Sequence, residues 1–544
     1  MSNKRNIRFR DFIGLSLIAM TVLYSCKGDD IIVNDPDDDM RSISITGPFI
    51  SASYTLQDFL EDLEGDGIFS DEDGLLYYQT RQDVEIEWDD LVTLNDVNST
   101  WNHYIPPFNT GSGDDGSFEF SDRAILSHRN DVRYDSLDLT AGMLRIAIAS
   151  PYGLSGTVTV DCPGMASGGE PVSITFTVYG NGMVSPEEFS LPLEGMHIDL
   201  ESNDEAPYLS SLRVNTRVAL EGLSYGGDLT VYFSLSDMEA EAAYGYFGTQ
   251  ETTKTDVELD FELFDEIDDL KDRVRVDRIS ISIQLHNSIG TPFYVETRNM
   301  RFYKDDDEDP YEYLTVDGSS TLVIDNVPAS VGGEPGFAEV VIDDKSDSNV
   351  LDIANGFPRS MKLDIFSRSN PDAGSDPESE PLNYKLAGQD LVAALVAKIP
   401  FTLSAAGYER RDTIEFDFND MIEGSENEVE SIELASVYFD FENGLPLSIS
   451  ASAYVIDGNG DLIDYVLDEG TSIIIAGTAA RPEASSFKVD LTEDQIEAFR
   501  QREAKQLILH YEVMTGKNGE SVEITNKGSL RAKISLSAKG TIPN

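Results

Sequence analysis

Only two cysteines occur in the 544 residues, Cys26 and Cys162. With so few, a disulfide framework is excluded and stability must come from packing. Basic residues are also scarce: 39 Lys and Arg stand against 100 Asp and Glu, a net charge of −61. Such a field repels nucleic acid and anionic surfaces, so a nucleic-acid partner is excluded. The five histidines never fall at a two-histidine zinc spacing. No G-x-S-x-G elbow and no S-x-x-K set appears in a suitable strand-to-helix context. The glycine-rich run Gly111-Ser112-Gly113-Asp114-Asp115-Gly116 carries acids that would repel phosphate. No catalytic residue and no cofactor is assigned. A glycosidase needs only two acids about 5–10 Å apart, and with so many acids the sequence names no pair. No long apolar run is present either. Phe12–Tyr24 reaches about 20 Å as a helix, short of a hydrocarbon core of about 30 Å.

That short run lies inside the most informative segment. Lys4, Arg5, Arg8 and Arg10 precede it, and Leu23-Tyr24-Ser25-Cys26 follows. A basic head, a short apolar middle and a small residue before the cut describe a secretory leader. A cysteine at the cut makes it the lipoprotein kind, whose thiol takes an acyl chain such as palmitate and becomes the new N-terminus. Residues 1–25 therefore read as leader. Residues 26–40, with Asp29, Asp30, Asp35, Asp37, Asp38 and Asp39, read as an acidic flexible tether. The expected partner is the membrane, through lipid on Cys26. Cys162 is expected to be a buried small hydrophobe.

Beyond the tether, apolar residues alternate at period two, the mark of strands with one buried face. Leu144–Ile148, Val172–Val178, Ile279–Leu285 and Ile414–Phe418 are examples. Turn sequences such as Asn181-Gly182, Asn443-Gly444, Asn518-Gly519 and Asp457-Gly458-Asn459-Gly460 supply the backbone that hairpins need. The expected fold class is all-β: tandem antiparallel β-sandwiches, Ig-like, with a few short helices. Three helices are expected. Thr492–Glu503 has a capping box, Thr492 with Gln495, and an apolar stripe of Ile496 and Phe499. The others are Leu56–Leu63 and Gln389–Ala397.

An internal repeat is legible. Ser211-Leu212-Arg213-Val214 resembles Ser360-Met361-Lys362-Leu363, and Leu259-Asp260-Phe261 resembles Ile414-Glu415-Phe416. Ile283–Phe293 resembles Tyr438–Leu447, and a weaker copy begins at Ile146. The expected domains are an N-terminal β domain at 41–203, a first sandwich repeat at 204–313, and a second at 314–544 with the C-terminal helix and strands. Lys304–Pro310, rich in acids, is expected to be an interdomain linker.

Two candidate sites emerge. Counting Asp62 as loop position one, Glu64, Asp66, Gly67 and Asp73 fall where an EF-hand calcium loop places its ligands and turn. Asp73 stands where Glu is usual, and a strand follows where a helix would. A plain acidic loop is the competing reading. The second candidate is Trp101, His103, Tyr104 and Phe108, a loop-like cluster of aromatics and prolines suited to contacting a glycan or protein. Packing of that loop onto its own domain is the alternative. Trp88 continues the face of Val84 and Ile86 and is expected in the core.

The chain resembles large surface lipoproteins of the Bacteroidota type. The residues that carry this are the acidic stretch after Cys26, Tyr54–Leu60 followed by Asp71–Leu76, Tyr244-Gly245-Tyr246-Phe247-Gly248, Asn287-Ser288-Ile289-Gly290-Thr291-Pro292, and the C-terminal helix with the strands around it. The resemblance implies tandem β-sandwiches on the outer membrane, facing outward, and supplies no active site. The expected role is a lipid-anchored cell-surface binding or structural protein without catalysis. Two alternatives stay open: a glycan-binding or glycan-degrading accessory of an outer-membrane uptake system, and a calcium-stiffened adhesin.

Overall fold

The computed structural model describes residues 31–33, 40–55, 67–114, 116–126, 132–150, 155–178, 187–203, 206–266, 273–304, 309–372, 382–415 and 431–543. They form three copies of one eight-stranded antiparallel unit. Roll 1 contains β5 (Val97–Ile105), β7 (Ser117–Ile125), β8 (Arg133–Ala149), β9 (Ser155–Ser167), β10 (Glu170–Val178), β11 (Glu187–Pro192), β14 (Ala206–Glu221) and β16 (Gly227–Tyr246). In chain order these are strands B to I of the roll. One sheet runs β5-β16-β8-β11, or B-I-D-G. The other runs β7-β14-β9-β10, or C-H-E-F. Two four-stranded sheets with these crossovers are a jelly roll.

Roll 2 repeats the order with β4 (Leu76–Ile86), β17 (Glu251–Asp260), β19 (Ser280–Asn287), β20 (Phe293–Tyr303), β22 (Thr321–Val327), β23 (Gly336–Asp343), β24 (Ser360–Ser369) and β26 (Leu391–Pro400). Its sheets are β4-β26-β19-β23 and β17-β24-β20-β22. Roll 3 uses β2 (Met40–Thr55), β28 (Tyr408–Glu415), β29 (Ser431–Asn443), β30 (Leu447–Asp457), β31 (Leu462–Ile474), β32 (Glu483–Leu491), β33 (Ala504–Thr515) and β35 (Ser529–Pro543). They pair as β2-β35-β29-β32 and β28-β33-β30-β31.

The rolls are nested. Roll 3 begins with β2, then the chain builds rolls 2 and 1 before returning at β28. Roll 2 begins with β4, then the chain builds roll 1 before returning at β17. Each inner roll thus sits in the B–C connection of the next one out. The all-β class, antiparallel sandwiches and few helices are as expected. The strand order, however, is that of a jelly roll and not of an immunoglobulin domain, and the units are nested and not tandem. Pairing crosses the expected boundaries. Strands β14 and β16, placed in the first repeat by sequence, hydrogen-bond into the sheets of roll 1. Strand β4, placed in the N-terminal domain, pairs with β26. The reason is that a strand's alternation fixes its buried face but not its neighbour.

The repeat segments occupy equivalent places. Ile146, Ile283 and Tyr438 lie in the D strands β8, β19 and β29; Leu259 and Ile414 lie in the C strands; Ser211 and Ser360 lie in the H strands. Between G and H, rolls 2 and 3 carry helices, Val350–Ala354 and Glu493–Gln501. Thr492 and Gln495 form the expected capping box, and Ile496 and Phe499 are buried. A third helix covers Glu262–Glu266. Among the described residues no helix is long and apolar enough to cross a membrane.

Three expectations are corrected. Gln389–Ala397 is no helix: Leu391–Pro400 is the strand β26, with Ala394 and Val396 buried on the side opposite Ala393, Leu395 and Ala397. A short apolar run buried on both faces reads alike as helix or strand. Lys304–Pro310 is not a linker between domains but lies between β20 and β22 inside roll 2, with residues 305–308 outside the described residues. Part of the tether is ordered: β1 (Ile31–Val33) pairs with Ile43–Ile45 of β2. The helix expected at Leu56–Leu63, like Cys26, lies outside the described residues.

Short strands lock the rolls together. In roll 1, β12 (Met196–Asp199) pairs with both β8 and β9, so it staples the two sheets, while β13 (Glu201–Asn203) extends β14. Between rolls 1 and 2, β25 (Asn383–Leu386) from the H–I connection of roll 2 adds to the end of β16. Between rolls 2 and 3, β27 (Thr402–Ala405) joins β18 (Val274–Val276) and β34 (Val522–Glu523). Strands β3 (Ile68–Ser70) and β21 (Glu312–Tyr313) extend the sheets of roll 2. One apolar core runs continuously through rolls 1 and 2, and roll 3 has two smaller clusters around Phe441 and Phe499. Trp88 is in the core, its ring 4.8 Å from that of Phe293. Cys162 is fully buried, and burial pushes its thiol up to about 12.

Candidate functional site

Two of the motifs that carry the resemblance lie at the junction of rolls 1 and 2. The Phe247 N–H donates to Asn383 Oδ1, and the Gly248 carbonyl accepts from Ser369 and Asn370. Gly290 lies under the Tyr384 ring, where a Cβ would come within 2.1 Å of it. These residues have a packing role.

The free end of the array is elsewhere. Strand β5 enters roll 1 from the junction and pairs antiparallel with β16, so that Val97 faces Leu235 and Ile105 faces Gly227. The far end of β16 meets β25 of roll 2. The Ile105–Gly227 end therefore points away from roll 2. Among the described residues it is closed by the B–C and H–I connections of roll 1. Pro106 and Pro107 stop β5, since proline cannot donate to a ladder. Then β6 (Phe108–Asn109) pairs with β15 (Leu223–Ser224). Asn109 caps a single 3-10 turn through Gly111 N, and its own N–H donates to Asp114 Oδ2 at 2.9 Å. Thr110 N donates to the Gly222 carbonyl at 3.1 Å, and Gly222 N donates to Thr110 Oγ1 at 2.9 Å. The two connections thus hold each other.

Of the expected contact cluster, Trp101, His103 and Tyr104 lie in a strand, β5, and not in a loop. Alternation divides them. Trp101 turns inward, 5.7 Å from the Phe233 ring. His103 is buried, stacked on Phe120 at 4.1 Å, with Nε2 2.9 Å from Asp122 Oδ2. Burial raises the Asp122 carboxyl, and the neighbouring His103 opposes the shift. Phe108 packs inward on Phe118 at 5.8 Å. Tyr104 alone faces out, 60% exposed.

Tyr104 is joined there by residues that the sequence did not single out. Leu223 is 49% exposed and Tyr225 85% exposed. Gly226, at φ +89, lies against the Tyr104 hydroxyl, and its N–H donates to Ser224 Oγ. This turn holds Tyr225 outward. The signal available in the sequence was Ser224-Tyr225-Gly226-Gly227, an aromatic at the apex of a glycine turn. At the same end of the roll, a groove of about 480 Å³ is lined by Thr110, Asp114, Ser117, Thr157, Leu220 and Glu221. The set offers hydroxyls, carboxylates and exposed rings. It contains no nucleophile paired with a base.

Elsewhere in roll 1, His197 of β12 sits between two acids, with Nδ1 2.6 Å from Asp138 Oδ1 and Nε2 3.1 Å from Asp199 Oδ1. The bond to Asp138, more than any other cause, raises its pKa. Of the expected calcium ligands, Asp62, Glu64 and Asp66 lie outside the described residues. Asp73 is exposed in a turn, its N–H donating to Asp71 Oδ1 and its carbonyl accepting from Lys527 at 2.6 Å. Among the described residues no group of three or more His, Cys, Asp or Glu could hold a metal ion.

No family model matches the chain, and no curated protein matches it. Among solved structures, the chain is similar to a protein of Parabacteroides distasonis described as secreted, at 13% identity, covering 55% of this chain and 89% of that one, with a TM-score of 0.29. It is also similar to a T=1 particle derived from infectious bursal virus, at 11% identity over 83% of this chain and 78% of that one, with a TM-score of 0.13. A third likeness is to cucumber leaf spot virus, at 13% identity over 70% and 95%, again with a TM-score of 0.13. Likenesses this weak carry no argument, and the jelly-roll assignment rests on strand order.

Proposed function

We propose that this chain is a lipid-anchored protein of the outer-membrane surface that carries no reaction of its own and presents the end of roll 1 to a binding partner. Cys26 bears the acyl chain in this reading. The observation that supports it is the nesting. Met40 at the start of β2 pairs with Pro543 at the end of β35, at the side of roll 3 away from roll 2. The leader-proximal end of the chain therefore enters at the base of roll 3, and the B–C connection of roll 1 closes the opposite end. An anchor at one end and a cluster of exposed aromatics at the other suit display. The test is mass spectrometry of the native protein together with protease treatment of intact cells. Expected are an acylated Cys26 at the N-terminus and loss of the protein on shaving. A bare Cys26 thiol, or a leader still attached, would refute the anchor; survival on intact cells but not lysed ones would refute surface display.

A further inference from the structure

We propose that the end of roll 1 binds an uncharged oligosaccharide, with Tyr104 and Tyr225 as stacking platforms and the groove at the same end as the polar contact. This deepens the reading of the chain as a surface-display protein and rests on it for the biological setting alone, since binding by the isolated protein does not require the anchor.

Three observations select this ligand. First, the end is exposed because of its place in the array. In rolls 2 and 3 the H–I connection reaches out and pairs with backbone at the base of the neighbouring roll, through β25 on β16 and β34 on β27. In roll 1 the corresponding β15 turns back onto β6. The same end of the unit that is a docking surface twice within this chain is left facing solvent here, and it keeps Tyr104, Leu223 and Tyr225 exposed. Isolated apolar side chains at a surface need no explanation, but a cluster at a closed end does.

Second, the charge excludes the alternatives. Residues 97–117 and 218–236 contain no lysine and no arginine, while Asp114 and Glu221 line the groove. A sulfated glycan, a uronic acid polymer or a lipid phosphate would meet only acids. A neutral sugar brings hydroxyl donors that carboxylates accept, and C–H faces that tyrosine rings cover.

Third, the groups are pre-positioned. The mutual bonds of Thr110 and Gly222, and of Asn109 and Asp114, hold both connections before any ligand arrives. Aromatic rings with few rotatable bonds lose little entropy on binding.

The experiment uses the full chain in a sugar-free zwitterionic detergent, probed against immobilised neutral, sulfated and uronic-acid oligosaccharides. Binding confined to neutral glycans is expected. Tyr225→Ala and Tyr104→Ala should each weaken it about tenfold, as loss of a binding hot spot does, while Tyr438→Ala on roll 3 should leave it unchanged. Unaltered thermal unfolding of the exposed-tyrosine variants shows that the fold is intact. A blank array, preference for the sulfated or acidic set, capture of a basic peptide in place of sugars, or full binding by both tyrosine variants would each overturn the proposal. A bare Cys26 with neutral-glycan binding retained would remove the anchor and leave this site standing.

Discussion

Asn443 makes in roll 3 the hydrogen bonds that Asn287 makes in roll 2. Asn287 Nδ2 donates to the carbonyls of Thr291 at 2.7 Å and Pro328 at 2.8 Å, and its Oδ1 accepts from Ile289 N at 3.0 Å. Asn443 Nδ2 donates to Leu447 at 2.7 Å and Ile475 at 2.9 Å, and its Oδ1 accepts from Leu445 N at 2.9 Å. Both amides are fully buried at the end of a D strand. Each ties the D–E connection to the F–G connection, both of which cross between the two sheets of the roll. The turns they reach are matched too, Val331 with Glu334 in one and Thr478 with Arg481 in the other.

This equivalence predicts equal sensitivity. Asn287→Ala and Asn443→Ala each strand two carbonyls and one N–H in the interior, at roughly 1–3 kcal/mol per unpaired group before relaxation. Both should lower the urea midpoint of their own roll. Asn→Asp should do no better, because the donors are lost. A variant that unfolds like the parent would show that the amide is dispensable.

A second prediction concerns pH. The pKa of His197 is raised, chiefly by its hydrogen bond to Asp138, with Asp199 adding and burial opposing. A raised folded-state value means that the native chain holds this proton more tightly than the unfolded one. The stabilisation is complete below about pH 6.5, the ordinary histidine value. It is lost as pH rises through the raised value. Wild type should therefore exceed His197→Gln in stability at pH 6 and converge with it at pH 9. Hydrogen exchange in Met196–Asp199, the staple between the sheets of roll 1, reads this directly. An identical difference at both pH values would contradict the assignment.

Cys162 offers a third. With its thiol pushed up to about 12 by burial and by Asp161, almost none is thiolate at pH 8, and the side chain has no solvent exposure. Iodoacetamide should leave Cys162 unmodified in the native protein and label it fully in urea. Rapid native labelling would show that roll 1 opens.

The junction of rolls 1 and 2 gives a fourth. Gly290→Ala places a methyl within 2.1 Å of Tyr384, so the ring must move off the surface it covers. Overpacking of this kind costs about 1–3 kcal/mol. Pairing it with Tyr384→Ala should recover part of the loss, since the clash and its partner go together. Thermal unfolding of the single and double variants measures the coupling. Strict additivity would place the strain elsewhere.

Local features of this fold were legible without coordinates. Period-two alternation located β8, β10 and β19, the Thr492–Gln495 capping box located a helix, and Asp457-Gly458-Asn459-Gly460 located a hairpin, whose Asp457 Oδ1 accepts from Asn459 N and Asp461 N. Each is decided by residues within one or two turns of one another. Gln389–Ala397 reads as a helix from sequence for the same reason, because the context that makes it a strand lies outside that range. The candidate site was half legible. Tyr104 was named with Trp101, His103 and Phe108, but adjacency along a strand sends neighbours to opposite faces. Leu223 and Tyr225 join Tyr104 only because β15 pairs with β6 across more than a hundred residues.

By itself the sequence determined that this is a strand-built protein without a disulfide framework, whose units repeat a pattern, since alternation, turn chemistry and repeated segments are local properties of the chain. Tertiary structure alone decided that β2, β4 and β5, consecutive long strands near the N-terminus, close three different rolls in reverse order. Strand pairing joins backbone groups that look alike in every strand, so the choice of partner is made by the packing of whole sheets.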